Sequence, residues 1–543
     1  VSPSSVASAM SAALTPQAGS LVKVDCSSSA ANASLTVSSG FTNHGTLELT
    51  GAGSFGAFLT VTAGTLVNAS DGVIQSSTGG GARTLTASLD NQGTVTVNRA
   101  LSINKSSGVH SNSNLITLAA DLTLSGASQT FANSGTMNFT TGDLSVTAGT
   151  FTTTGTMTLT SGRTVSVTSA DFNFNAGTIS GPGSLLFSGA SCTATFAAGL
   201  PPVPATFTSA TLAGPALTTA ANVTLAGATV SATSLAVASG HTVQVNSAGI
   251  ATTMTSALAP LAGSLVKIDC ASSASSASLV VSNGFTNHGT LELSGAGAFT
   301  AALTVTAGTL VNASDGVIQS STGGGGRSLN ATLDNQGMLT VNRALTLVKA
   351  ATNSLGGTIR GTSSLTLANA GLVNYGTLSP GLSAGTLTIN GTPRFATGGR
   401  LAAEVGGTGA PASHRVAVAV GDSVLLTGAV LDLSVINGYL PVLGDSITVV
   451  TAGTVLDTFT TVLGRDTGNG LYFNVRYRPP GAPTHVALIV GNPPPNNGPT
   501  ALDDALVVPE DGSALIAVRA NDSDPDGDSL AIASVTNPPH GAA

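Results

Sequence analysis

The chain has 543 residues, of which only 8% are charged and 4% aromatic, with 67 Gly and no Trp, a composition unlike that of an ordinary enzyme. Its formal net charge of -8 is thinly spread, and no Lys/Arg cluster supplies the phosphate-neutralising surface that nucleic-acid binding needs. No apolar run reaches the roughly 18 residues of a spanning helix, so no membrane-spanning segment is expected and nucleic acid is not an expected partner.

The chain opens at Val1 with no charged segment ahead of an apolar core, so any export signal is expected to have been removed or to lie outside this sequence. Residues 14–105 realign with 258–349 at a constant offset of 244, and 71 of the 92 positions are identical. GFTNHGTLELTGAG (residues 40–53) thus returns as GFTNHGTLELSGAG (residues 284–297). Beneath this duplication runs a finer period. Asn-x-Gly occurs at Asn43, Asn91, Asn133, Asn287, Asn335 and Asn374, with looser versions at Asn68 to Gly72, Thr153 to Gly155 and Asn175 to Gly177. Neighbouring copies stand about 20 to 25 residues apart, the length of one solenoid coil.

After each Gly the apolar residues alternate, as in Leu47/Leu49, Val95/Val97, Met137/Phe139 and Met157/Leu159, and a period of two specifies strand. Thr and Val dominate, and helix-period patterns and caps are nearly absent. The expected fold is all-β: a right-handed parallel β-solenoid (β-helix) over residues 1–395, with about 17 coils spaced about 4.8 Å apart. A narrow coil favours Ala, Val, Leu, Ser and Thr inside. The Asn and Gly of each repeat are expected at sharp corners in left-handed backbone conformation. In the opening stretch, Asn43 to Gly45 would form a corner, Leu47 and Leu49 would fill the core, and Glu48 would face water. Cys26, Cys192 and Cys270 have no metal-ligand spacing and are read as small core residues.

Two kinds of chemistry can be weighed against this structural reading. A carbohydrate-active β-helix enzyme, lyase or hydrolase, would gather several acidic and basic side chains on one face. Here His44, Glu48, Asp71, Asp90 and Arg99 are scattered over several coils without a paired-carboxylate motif, so no catalytic residue is assigned. The glycine runs at residues 79–81 and 323–326 are loops, not phosphate loops, since neither leads into Gly-Lys-Ser/Thr or a helix. Arg83 and Arg327, just beyond them, stand where they could touch a ligand.

After the coils the sequence changes character. Residues 396–491 form a β-rich cap, NPPPNNGP (residues 492–499) a polyproline-type linker, and residues 500–543 the start of a more acidic module. The stretches LSPGLSAGTLTINGT, RLAAEVGG, GYLPVLGDSITVVTAG and HVALIVG resemble the end of bacterial autotransporter passengers and related exported β-repeat proteins, which implies a secreted or cell-surface location. In place of that family's Tyr-Asp pair stands Ser413-His414.

In the last module Asp522, Asp524, Asp526 and Asp528 alternate around Gly527, an array of hard oxygen donors suited to Ca²⁺. It is not an EF-hand, because the twelfth position from Asp522 is Ala533 rather than Glu. The whole segment from Pro499 to Gly541 resembles the first half of an Ig-like, cadherin-like adhesin repeat, which implies a β-sandwich and adds Asp504 and Glu510 as possible Ca²⁺ ligands. Because Ala543 falls about halfway through such a domain, further modules are expected in the parent protein. The expected role is a surface structural protein or adhesin that presents Ca²⁺-binding Ig-like modules to an unidentified glycan or protein.

Overall fold

The computed structural model describes residues 1, 8–26, 31–51, 54–77, 79–270, 275–295, 298–321, 323–368, 371–382, 384–409, 412–495, 497–525, 529–537 and 539. Strands are the regular element throughout, and no helix occurs among the described residues. Each coil contributes up to three short strands. Ala33–Val37, Phe41–Asn43 and Thr46–Thr50 make one such coil, and they define a first, a second and a third face.

Along the rod, strands pair in parallel with their equivalents in neighbouring coils. On the third face, Leu21–Asp25 is followed by Thr46–Thr50, Val73–Ser76, Thr94–Val97, Leu115–Leu118 and Thr136–Phe139. The expected β-solenoid is therefore the fold. Strict register stacks like on like: Val95 lies over Ile116, and Met137 over Met157. Alternation then sends one set of side chains inward, so that Leu47, Leu49, Ile74, Val95 and Val97 are buried.

The parallel ladder does not stop at residue 395. Arg400–Val405 pairs with Val430–Val435, which pairs in turn with Thr461–Leu463. The segment expected to be a cap thus begins as further coils. Among the described residues, antiparallel pairing between strands comes at the end, where His485–Gly491 lies between Ser446–Thr451 and Tyr472–Arg478. That hairpin covers a sheet end that would otherwise offer unpaired backbone groups.

The asparagines differ from expectation. None of the repeat asparagines takes positive φ, a conformation found instead at serines such as Ser107 and Ser169. Their side chains point inward and form a ladder. Asn43 Nδ2 donates to Asn68 Oδ1 (2.8 Å), Asn68 to Asn91 (2.8 Å), Asn91 to Asn112 (2.6 Å) and Asn112 to Asn133 (2.8 Å), where Thr153 Oγ1 accepts the last bond. Each amide also serves the corner backbone; Asn68 Nδ2 reaches the carbonyls of Gly72 and Thr94 at 3.2 Å. The repeat glycines are required by close approach. A Cβ on Gly45 would lie 2.5 Å from the Ser20 carbonyl oxygen, and one on Gly93 would lie 2.2 Å from that of Ala69.

A second ladder runs from Asn287 through Asn312, Asn335 and Asn353 to Asn374, but at a different corner. From Ala33–Val37 the first face continues through Ala57–Asn68 and Arg83–Asn91. It then passes through Leu101–Ile103, Leu122–Leu124, Leu144–Val146, Thr164–Thr168, Ser184–Ser188, Ala205–Thr208, Val223–Ala226 and Thr242–Asn246 to Leu265–Asp269. Leu265–Asp269 is the duplicate of Leu21–Asp25, which sits on the third face. The offset of 244 residues therefore spans eleven coils and one face, and the second copy is turned by one of the three faces relative to the first.

From the last coils of the first asparagine ladder onward, aromatic side chains fill the interior. Phe131, Phe151 and Phe172 stack in register with centroids 5.5 and 5.8 Å apart, and Phe187 stacks on Phe207 at 4.9 Å. His110 heads the row, 6.0 Å from Phe131. Its Nδ1 accepts from the Leu89 amide (3.3 Å). Desolvation holds it neutral with a pKa of about 4, against a smaller opposing effect of its hydrogen bond with Gln129.

Two outcomes follow from this interior. Replacing Asn68 by Ala breaks the ladder and strands buried carbonyls. It should cost at least about 2 kcal/mol, read as a lower thermal midpoint and as hydrogen-exchange protection lost around that coil. His110 accepts a proton near pH 6.5 when unfolded and only near pH 4 when folded. Its neutral form therefore stabilises the rod above pH 6.5, and that contribution declines on acidification toward pH 4, by up to about 3 kcal/mol. His110→Phe should flatten the pH dependence of the melting temperature over this window.

Candidate functional site

Along the rod, the side chains that could carry chemistry are each engaged separately. His44 Nδ1 lies 2.9 Å from Asp71 Oδ1, with both side chains about half exposed, and His288 with Asp315 repeats the pair at 2.9 Å. One coil further on, Asp90 accepts from Ser111 Oγ (2.6 Å) and Gln92 Nε2 (2.7 Å), and Arg99 donates to the Gly80 carbonyl (3.3 Å). Glu48, expected to face water, is half-buried and accepts a hydrogen bond from Ser77 Oγ on the next coil. Glu292 receives the same bond from Ser321 and a second from Gln319 (3.2 Å).

Arg83 and Arg327 are not placed to meet a ligand from solvent. Each is only 1% exposed. Arg83 donates to the carbonyls of Gly51 (3.2 Å), Ser77 (3.3 Å), Gly81 (2.6 Å) and Ala82 (3.3 Å). Arg327 does the same with Gly295, Ser321 and Gly325. Burial lowers both guanidinium pKa values, while the neighbouring Cys26 or Cys270 opposes the shift. The fork geometry of guanidinium lets one side chain serve several carbonyls where the backbone leaves the coil. Cys26 sits beside it with Sγ 2.8 Å from the Phe55 carbonyl oxygen, and all three cysteines are buried and unbridged.

At the far end, Ser413-His414 invites a hydrolase reading together with Glu404. The buried His414 has its Nε2 3.2 Å from Oε2 of the half-buried Glu404, and desolvation lowers the imidazole pKa while Glu404 opposes that shift. Ser413 Oγ, however, donates to the Gly407 carbonyl (2.6 Å) and accepts from the Gly406 amide (3.2 Å). Its hydroxyl is committed to that loop, so the nucleophile-to-base bond of a triad is not formed.

In the last segment the described residues are largely exposed, and their one bridge joins Thr500 to Ser523. Asp522 Oδ1 accepts from the Leu502 amide (2.9 Å), which ties the acidic turn to the start of the segment. Asp504 and Glu510 are exposed. Asp526 and Asp528 lie outside the described residues. Among the described residues no three His, Cys, Asp or Glu side chains converge so as to hold a metal ion.

The buried arginines are the functional-looking residues whose role the sequence concealed, since Gly-rich flanks and a following strand are equally compatible with an outward side chain. Arg83→Ala should destabilise the first coils by about 2 to 4 kcal/mol, because several buried carbonyls lose their donor together. Arg83→Lys should recover only part of this, as measured by thermal unfolding beside the matching changes at Arg327.

Residues 496–543 match the family model of the bacterial Ig domain. No curated protein matches the chain. No helix of the described residues is long and apolar enough to cross a membrane. The chain is thus a β-solenoid that leads into a segment similar to bacterial Ig domains.

Proposed function

We propose that this protein is a structural or adhesive component of a bacterial surface, in which the solenoid is a stiff spacer and the Ig-like segment belongs to an adhesion module. The observation that carries the reading is the unbroken parallel ladder from Ser8–Met10 to Thr461–Leu463, a rod on the order of 100 Å long, joined to a segment similar to bacterial Ig domains. A solenoid of this kind resists bending because each coil is hydrogen-bonded to two others. Secretion or surface display fits a module type of that family and the passenger-like sequence of residues 374–491.

Within this proposal, Ca²⁺ bound by the Asp522 to Asp528 turn would stiffen the module and its junction with the rod. Carboxylates at alternate positions supply the hard oxygen ligands, and neutralising their mutual repulsion is what the ion would contribute.

The test is a binding screen of the whole chain against glycans and matrix proteins, with Ca²⁺ and with a chelator. Retention on a target, together with a Ca²⁺-dependent change in the protease sensitivity of residues 500–543, is the expected result. Cleavage of a polysaccharide without stable retention would instead establish a carbohydrate-active enzyme and overturn the adhesin reading. Asp522→Asn with Asp524→Asn should abolish the Ca²⁺ effect while leaving the melting of the rod unchanged.

A further inference from the structure

The two copies of the duplicated segment have not diverged evenly over their surface. On the face that begins with Ala33–Val37, five of the seven outward positions differ between copies: Thr36/Val280, Phe58/Ala302, Thr84/Ser328, Thr86/Asn330 and Ser102/Thr346. On the face that follows Asn-x-Gly, only one of the nine positions that alternate with the core set differs, Thr94/Met338. The less changed face carries Lys23, Glu48 and Gln75 in one register row, repeated as Lys267, Glu292 and Gln319. Interior demands do not account for the contrast: both faces bury the same alternating set, and with the pairs Asp25/Asp269 and Thr96/Thr340 set aside, whose second-copy members are buried, one of seven positions differs against five of seven.

We infer that this Lys-Glu-Gln face is a duplicated binding surface for an uncharged, hydroxyl-rich polysaccharide, and that the chain is divalent toward it. The inference rests on the adhesin reading above. Its charges are largely balanced within the face: Lys23 Nζ lies 3.2 Å from Asp25, Lys267 Nζ lies 2.9 Å from Asp269, and Glu48 and Glu292 each hold a serine hydroxyl. A polyanion meets the carboxylates and a polycation meets the lysines, so neither gains a net attraction. Sugar hydroxyls both donate and accept, and they can use the ammonium, carboxylate and amide groups alike. The row spacing of about 4.8 Å is close to the length of a single pyranose unit.

The eleven-coil-and-one-face offset decides how the two surfaces act. They lie about 55 Å apart along the rod and on different faces, so they cannot both lie flat on one planar surface. The arrangement favours bridging two polysaccharide strands over double attachment to one.

The experiment is co-sedimentation of the whole chain with cellulose and chitin as neutral probes and alginate beads as the anionic one, followed by clumping of polysaccharide-coated particles. Glu48→Ala with Gln75→Ala, or Glu292→Ala with Gln319→Ala, should leave retention but abolish clumping. All four changes together should lower retention at least tenfold. Thr84→Ala with Ser328→Ala, on the divergent face, should change neither readout, and circular dichroism confirms the fold of each variant. Full retention of the fourfold variant, stronger binding to alginate, or clumping by both single-copy variants overturns the assignment. Failure to bind any neutral probe, with retention still seen in the glycan and matrix-protein screen, overturns this surface alone; failure in both overturns the adhesin reading as well.

Discussion

Each strand of this protein has to lie in register on its equivalent one coil away, and most of the other features answer to that constraint. Parallel in-register stacking satisfies the strand backbone but forces every inward side chain to meet a neighbour of the same kind. Apolar residues do this without cost. A row of identical polar side chains is satisfied when each donates to one neighbour and accepts from the other, and a primary amide can do both. The buried asparagine ladders are the result, with Nδ2 to Oδ1 distances between 2.6 and 2.8 Å. The same amides satisfy corner carbonyls, so the ladder and the turns depend on each other.

Duplication exposes how interchangeable the three faces are. Because each face reads as the same alternation of small apolar and polar residues, a segment that began on one face folds as well on the next. What cannot be shared is the asparagine row, which occupies one corner and must be ended before it can restart at another. The first ladder ends on Thr153 Oγ1, and the phenylalanine stack, which starts beside its last members at Phe131, continues through the interior to Phe207 before Asn287 opens the second. Aromatic stacking suits this middle section, since rings in register gain contact without requiring a polar partner.

The ends of the rod are handled by different means. Antiparallel strands after Thr461–Leu463 cover the last coils, and Tyr439 supports a turn there by donating to Asp445 Oδ2 (2.5 Å). That bond lowers the Asp445 pKa, while burial and the nearby carboxylate raise that of Tyr439. Beyond the cap the described residues are largely exposed, and the identity of this last segment comes from its sequence similarity to bacterial Ig domains.

The sequence by itself determined the all-β solenoid, its coil length and the internal duplication. Period-two alternation at Leu47/Leu49 and its relatives is a local signal that needs no knowledge of neighbours. It also marked Asp522 to Asp528 as the acidic turn, although Asp526 and Asp528 lie outside the described residues. Only the tertiary structure decided which way Asn43 and Arg83 face, because a residue at the edge of a strand can turn in or out without changing the pattern around it. Only stacking showed that 244 residues span a whole number of coils plus one face, since that remainder accumulates over eleven coils of unequal length. The surfaces repeated in the sequence therefore point in different directions, a property that no single repeat contains.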